Sequence, residues 1–437
     1  MKLLLLTLAA ALVNAQDLSL NDRAKRDLGE QAQAVFGRAR EQVDKTISNL
    51  PRYVCVENIE RAYLHPLKPF LPRVSYCPAV GGKNGLKLRL SATDRVRLEV
   101  AVSDGREIDS WPLASQFDTR GIDIVESGPI SSGAFGTNLA GVFQNPDAKI
   151  EFTGAATRAG RTIFVYHYSV PLESSSQMVR LVDGARWKTA YRGDLEIVAD
   201  TAELISLTIE AGPLPPFSGM CRTKTTNIYH HVRVGEGEFL IPVTSTFQTM
   251  GPNGTTTEST TTFSGCHQFA VETTLRFDAD DAPSRPETPA ATVQTRPLPG
   301  ATRIGLRLDS PIDTDTAAAG DIVLARIENP SRKPKVQNDV PAGIRVRGRI
   351  MHAKHSISED RGFDIEITFD ALEIGGDLLP FAGVAIPSKP RLRGVNLSME
   401  DTPTGGVIKI HTKRNRVVLP VGTHFDWITL TPPKPKI

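Results

Sequence analysis

Residues 49 to 61 read NLPRYVCVENIER, and the spacing of apolar side chains changes period inside this stretch. Upstream, Leu28, Ala32, Val35, Phe36, Ala39, Val43, Ile47 and Leu50 recur every three or four residues, with Arg38, Arg40, Glu41, Asp44 and Lys45 between them. That spacing predicts one amphipathic helix over 18–50, capped by Asn21 or Asp22 and stopped by Pro51, with its apolar stripe lying on a core. Downstream the period is two. Leu86, Leu88 and Leu90 alternate with Lys87 and Arg89, and Val96, Leu98, Val100 and Val102 continue the alternation to Asp104-Gly105, a hairpin turn signal. The chain therefore passes from a helix into an antiparallel meander, and Cys55 sits at the junction.

The meander extends through Ile163 to Tyr168, then Leu195 to Val198 and Leu204 to Ile209 around an Ala199-Asp200-Thr201 turn. Its last strands are expected at Thr225 to Val234, Phe239 to Met250 and Thr256 to Phe269, with Asn253-Gly254 turning between the second and third. The threonines at 255–262 fit a half-exposed strand, because β-branched residues suit a pleated surface.

The first residues, MKLLLLTLAAALVNAQ, carry one basic residue, an apolar run from Leu3 to Val13, and small residues before Gln16. This is the pattern of a secretory signal peptide over 1–15, cut after Ala15. The run is too short for the ~20 residues that cross a bilayer, and no later stretch is long enough, so no transmembrane segment is expected in the mature chain. Export makes the protein periplasmic or extracellular and makes disulfides the default for its four cysteines. Cys55, Cys77, Cys221 and Cys266 form no C-x-x-C and no zinc-type spacing with histidine. In a three-strand meander Cys221 and Cys266 would lie roughly 9 to 10 Å apart, beyond disulfide reach. Cys55 then pairs with Cys266 or with Cys221, and either link closes the start of the domain onto its end. The preferred set is Cys55 with Cys266 and Cys77 with Cys221. The alternative stays open, because Cys221 can lie in the Pro-rich loop before its strand.

Residues 278–300, DADDAPSRPETPAATVQTRPLPG, hold five prolines and almost no large apolar side chains, as a solvated linker would. They separate a first domain, 16–277, from a second β-rich unit, 301–431, followed by a tail, 432–437. In the second unit Ile304, Leu306 and Leu308 alternate with arginines, Ile322 to Ile327 follows, and Ile344, Val346 and Ile350 alternate with Arg345, Arg347 and Arg349. Phe363 to Phe369, a Gly375-Gly376 turn, Leu378 to Phe381, Val407 to Ile410 and Val417 to Leu430 complete it. Short strands with Gly and Pro turns predict a small closed barrel. The fold class is mainly β: a helix on an open antiparallel β-barrel, a linker, then a small β-barrel.

Chemistry is scarce. Net charge is +2, from 51 basic and 49 acidic residues mixed along the chain, which gives no large field to steer a polyanion, and aromatics are 6%, too few for base-stacking platforms, so no nucleic acid is expected. No G-x-S-x-G elbow, H-E-x-x-H, phosphate loop or dinucleotide fingerprint is present. His230 and His231 are neighbours on a strand and point to opposite faces; His352 and His355 do likewise, so neither pair shares a metal. Asp313, Asp315 and Asp321 lack EF-hand spacing and suit turns and caps. Lys413, Arg414 and Arg416 read as a solvated strand end. No catalytic residue, metal or cofactor is expected, and the protein is read as no enzyme; a histidine among His167, His230 and His231 beside a carboxylate and a serine would reopen a hydrolase.

With a signal peptide, a helix and an "LPxYxC" entry into a long antiparallel sheet, residues 20–277 resemble the periplasmic lipoprotein-carrier superfamily, the LolA/LolB-like open β-barrels. The segments LPRYVCVENIERAY (50–63), VAVSDGREIDSW (100–111), IYHHVRVGEGEFLIPVTS (228–245) and FSGCHQF (263–269) resemble a group of uncharacterised secreted acidobacterial proteins. Two cysteines are usual in that group, matching Cys55 and Cys266, so the resemblance implies that pair; Cys77 and Cys221 are additions, and Glu196 stands where the group tends to carry tryptophan. Residues 298–430, through LPGATRIGLRLDSPIDTDTAAAGDIVLARIENP, VPAGIRVRGRI and FDIEITFDALEIGGDLLPF, are similar to the TrbI-like β-barrel of type IV secretion channel proteins. Together the resemblances imply a non-catalytic exported protein. Its first domain holds an apolar ligand, an acyl chain, lipid or lipoprotein, between helix and sheet. The alternative is a cell-envelope scaffold whose concave face is filled by its own side chains and whose second barrel docks on an envelope protein.

Overall fold

The computed structural model describes residues 27–48, 52–67, 77, 87–103, 106–114, 124–125, 128–181, 184–268, 302–328, 343–358, 361–386, 395–402 and 405–430. The helix, α1, runs over 27–48. Its expected caps Asn21 and Asp22 and its stop Pro51 lie outside the described residues, as do the expected signal peptide 1–15, the linker 278–300, the tail 432–437 and the Asp104-Gly105 turn. No described helix is long and apolar enough to cross a membrane.

Period-two burial then dictates the strands. β1 (Tyr53–Pro66), β2 (Leu88–Ser103) and β3 (Arg106–Ser110) come first, followed by a short helix α2 (Thr137–Phe143). β4 (Lys149–Arg158), β5 (Arg161–Val170), β6 (Met178–Arg180), β7 (Arg186–Lys188), β8 (Tyr191–Val198) and β9 (Leu204–Ala211) follow. β10 (Arg222–Val234), β11 (Gly237–Met250) and β12 (Thr256–Gln268) are the expected meander, each antiparallel to the next. β12 returns to pair with β1, so the antiparallel order is β4-β5-β8-β9-β10-β11-β12-β1-β2-β3. Among the described residues β3 pairs only with β2 and β4 only with β5, so no ladder joins β3 to β4 and the sheet is open. β6 and β7 form a separate ribbon.

The second set comprises β13 (Arg303–Leu308), β14 (Ile312–Asp313), β15 (Ile322–Glu328), β16 (Arg345–Ser356), β17 (Gly362–Ile374) and β18 (Asp377–Pro380). It ends with β19 (Gly383–Ala385), β20 (Val395–Thr402), β21 (Gly405–Thr412), β22 (Val418–Leu419) and β23 (His424–Thr429). Its ladders run β19-β23-β13-β15-β16-β17-β21-β20 around a core of Ile304, Leu306, Ile365, Ile367, Ile408, Phe425 and Trp427. The Gly375-Gly376 turn joins β17 to β18 with both glycines at positive φ, 63° and 96°, a conformation a side chain would strain. The expected closure is not made by hydrogen bonds. β21 lies against β19, where a Cβ on Gly406 would stand 2.8 Å from the Ala385 nitrogen, yet among the described residues no ladder links the two strands. The expected strand over Val417 to Leu430 is also two strands, β22 and β23, because Pro420 and the positive-φ Gly422 turn the chain between them.

The two sets share a sheet. Beyond β3, the free edge of β2 pairs with β16 at Asp94↔Lys354, Thr93↔His355 and Ala92↔Ser356. Between these contacts Ala319 bonds both ways to β2, its N–H to the Arg95 carbonyl at 2.9 Å and its carbonyl to the Arg97 N–H at 2.7 Å. Ala319 joins Ile59, Val96 and Leu98 in an apolar cluster. Next to it Gly320 has φ +103°, and a Cβ there would collide with the Arg97 carbonyl oxygen at 2.0 Å. Buried Arg349 donates to Gly320 O at 2.7 Å and Pro112 O at 2.9 Å and lies 5.7 Å from the Trp111 ring. A cleft of about 290 Å³ lies at this joint, lined by Arg61, Asp94, Trp111, Met351, His352 and Glu366 with others.

Candidate ligand-binding face

The inner face of the first sheet divides into an apolar end and an acidic end. At the apolar end, α1 presents Ala32, Val35, Ala39 and Val43, each at most 1% exposed, to a floor that includes Phe164, Tyr166, Tyr168, Leu195, Ile197, Leu207 and Ile209. Two alanines in the contact stripe let the helix backbone come close. The Tyr166 hydroxyl donates to the Ala32 carbonyl at 2.7 Å. Phe36 stacks on Phe143 of α2, centroids 5.6 Å apart, and tilts against Tyr166 at 5.5 Å. Arg38 and Gln42 donate to the carbonyls of Ala199 and Thr201 in the β8–β9 turn, at 3.3 and 3.0 Å.

Tyrosine is suited to such a floor, since its ring packs while its hydroxyl reaches a polar group. Tyr191 donates to Gly141 O at 2.6 Å and Tyr229 to Ala134 O at 2.8 Å, pinning α2 and its lead-in as Tyr166 pins α1. Gly141 is needed for that seat, because a Cβ there would meet the Tyr191 hydroxyl at 2.7 Å. Changing Tyr166 to Phe is expected to cost about 0.5–1.5 kcal/mol. Amide exchange will be faster across 27–48 and unaltered in β13–β23; unchanged protection of the helix would refute the tether.

The acidic end lies on β1, β2 and β3. Tyr53, Cys55, Glu57, Ile59 and Arg61 are the buried positions of β1 that alternate inward. Register places Cys55, Val100 and Asp109 in one row and Val102 beside Glu107 in the next. Because Val100 and Val102 face the core, Glu107 and Asp109 do too, while Ile108 between them is 39% exposed. Glu107 is half-buried overall, and its carboxylate accepts the Gly133 N–H at 2.6 Å and the Phe135 N–H at 2.7 Å, which fixes the lead-in to α2. Burial raises its pKa against the lowering effect of these backbone donors. Burial, then the charges of Asp109 and Glu107, raise that of Glu57 well above the carboxylate range. Asp109 is pushed up to about 7, by burial first and by Glu107 second. Among the described residues the fully buried Tyr53 hydroxyl has no hydrogen-bond partner, whereas the Asn227 Oδ1 accepts from Ser245 at 2.7 Å and its amide faces the Tyr229 hydroxyl as a donor. Arg61, farther along β1, is held by Asp94 at 2.6 and 2.8 Å.

Cys55 is bonded to Cys266, joining β1 to β12, and Cys77 to Cys221. Cys221 precedes β10, in the loop rather than in the strand. His230 and His231 are both exposed. His167 pairs with Asp194 at 3.0 Å, both in substantial contact with solvent, on strand positions that alternate with the inward Tyr166 and Tyr168. Asp313 and Asp315 take Arg416, at 2.5 and 3.1 Å, and Asp313 caps the Asp315 N–H at 3.0 Å. Asp321 pairs with Arg97 across the joint and accepts the Ala318 N–H. Sequence spacing did not single out Glu57, Glu107 or Asp109. In Glu107-Ile108-Asp109 ordinary alternation would turn the isoleucine inward, and that inversion is the signal a sequence carries for such a site.

No family model matches this chain, and no curated protein matches it. Among solved structures it is similar to a LolA superfamily protein from Nitrosomonas europaea, at 10% identity over 55% of this chain and 94% of that one, TM-score 0.26. A putative outer membrane lipoprotein-sorting protein domain from Vibrio parahaemolyticus is 12% identical over 54% and 92%, TM-score 0.25. A DUF1329 family protein from Desulfovibrio piger is 9% identical over 55% and 94%, TM-score 0.25. At these scores the functional assignment rests on the chain's own side chains.

Proposed function

We propose that this protein is a non-catalytic exported carrier that takes an acyl chain, lipid or lipoprotein on the inner face of the first sheet beneath α1, its chain divided into the units 16–277 and 301–431. The observation that carries this is the nature of the cover. A single amphipathic helix closes an aromatic and aliphatic floor. It is held there by packing and a few side-chain bonds to backbone carbonyls. Both disulfides staple other parts of the chain and leave α1 unstapled. Lifting such a helix exposes an elongated apolar trough, the shape and chemistry an acyl chain requires.

The complete burial of Ala32, Val35, Ala39 and Val43 favours the second reading, an envelope scaffold whose trough is permanently filled and whose second strand set contacts another protein. Native mass spectrometry of detergent-free protein and uptake of a fluorescent fatty acid separate the two. Phe36→Ala removes about 1–2 kcal/mol of cover, so a carrier will show roughly tenfold tighter apparent uptake as the open fraction rises. A bare mass, with no uptake by either form, overturns the carrier.

A further inference from the structure

We propose that the acidic end of the inner face, formed by Glu57 and Asp109 with the Tyr53 hydroxyl, receives the cationic head of an amphiphile whose chain lies under α1. The ligand class is a primary ammonium joined to an alkyl or acyl chain. This rests on the carrier function and adds the chemistry of the ligand's head.

Uncompensated polar groups point to it. Glu57 is 6% and Asp109 4% exposed, and among the described residues the charges that act on them are those of other carboxylates, with no cation offsetting them. Glu107, by contrast, is occupied with the backbone of 133–135. Buried carboxylates without a cation are costly, and so are buried donors without an acceptor. Here both kinds share one interior. The Tyr53 hydroxyl belongs to the inner-face row of Tyr53, Val102 and Glu107, next to the row of Cys55, Val100 and Asp109, and it feels the charge of Glu107.

One ligand can satisfy both sets. An ammonium offers three N–H donors to the two carboxylates, and an ester or amide carbonyl next to it would accept from Tyr53. A bare metal ion fits less well, because no group of three or more acidic, histidine or cysteine side chains among the described residues converges to hold one. The acidic end also adjoins the apolar trough. Tyr229 belongs to the apolar cluster under α1 and bonds Ala134, and Phe135 packs on Tyr53 with centroids 5.7 Å apart. The segment from Gly133 through α2 therefore roofs both ends, and a head at Glu57 continues into a tail beneath Phe36 and Phe143.

The test is titration of the full exported chain with dodecylammonium, dodecanol and dodecanoate, each below its micelle concentration, at pH 7.5. Dodecylammonium is expected to bind about tenfold or more tightly than dodecanol, the equivalent of one charge-assisted hydrogen bond, with dodecanoate weakest. In the E57Q/D109N double variant, and to a lesser degree in Glu57→Gln alone, dodecanol binding will persist while the preference for the ammonium falls to about twofold or less. Equal binding of ammonium and alcohol by the unaltered protein, or a preference that survives in both variants, overturns the head site and leaves the carrier standing. Failure of all three probes to bind overturns the carrier and the head site with it.

Discussion

Replacing Asp109 with asparagine will stabilise the unliganded protein at pH 8 and leave its stability nearly unchanged at pH 4. The Asp109 carboxyl ordinarily titrates at 3.8 and is pushed up to about 7, by burial and then by the charge of Glu107. The folded chain thus holds this proton more tightly than the unfolded chain does. Well below 3.8 the group is protonated in both states and costs nothing, and at pH 4, where the unfolded chain is little more than half ionised, the cost is still well under ~1 kcal/mol. As pH rises towards 7 the unfolded state ionises first and folding loses free energy; above the folded value the penalty is constant. The rise from 3.8 to about 7 corresponds to on the order of 4 kcal/mol, with part of it shared among the neighbouring carboxylates. Urea unfolding of both proteins at pH 4, 6 and 8 gives the test: the curves should separate with rising pH, asparagine the more stable. An asparagine variant that is no more stable at pH 8 would show that the carboxylate is compensated in the unliganded chain. Glu57→Gln should act in the same direction, since burial also raises the Glu57 pKa.

Loss of the Cys55–Cys266 bond is the other large effect. Cys55→Ser is expected to lower the stability of the β1–β12 sheet by about 2–5 kcal/mol. The bond spans 211 residues of sequence, so its removal releases a long loop in the unfolded chain. It also leaves polar or thiol groups in a cluster where Tyr53, Cys55, Val100 and Phe135 are all buried. The effect should be confined to the first sheet. Trp427 is fully buried in the separate core of β13–β23 and, with Trp187 and Trp111 replaced by phenylalanine in both proteins, reports on that core by its fluorescence. The variant should melt earlier by amide exchange in β1, β2 and β12 while the Trp427 signal holds. Equal loss of both would mean that the β2–β16 joint makes one cooperative unit.

Features set by neighbours in the chain were legible. α1 shows itself through the 3.6-residue recurrence of Ala32, Val35, Ala39 and Val43. β10, β11 and β12 show themselves through alternation and the Asn253-Gly254 turn, where Gly254 has φ 77°. Where local signal is weak, elements escaped. β4 has only Ile150 and Phe152 as large apolar residues, half-buried against the cluster beneath α1, before Gly154 and two alanines end the alternation. α2 has seven residues, too few for a period to register. β19 has only three residues, too few for alternation to register.

The sequence by itself determined the change of period at Pro51, the mainly β class and the turn positions, because sterics and apolar spacing act over a few residues. Only the tertiary structure decided which faces turn inward and what meets there. Asp109 is buried because register sets it beside Val100, which the core claims, and one-residue register decides the face of every side chain in a strand. The union of the two strand sets through Ala319, Gly320 and the Asp94↔Lys354 ladder is likewise a contact between segments more than 200 residues apart. No local pattern encodes it, since it depends on an edge of β2 that β3 is too short to cover.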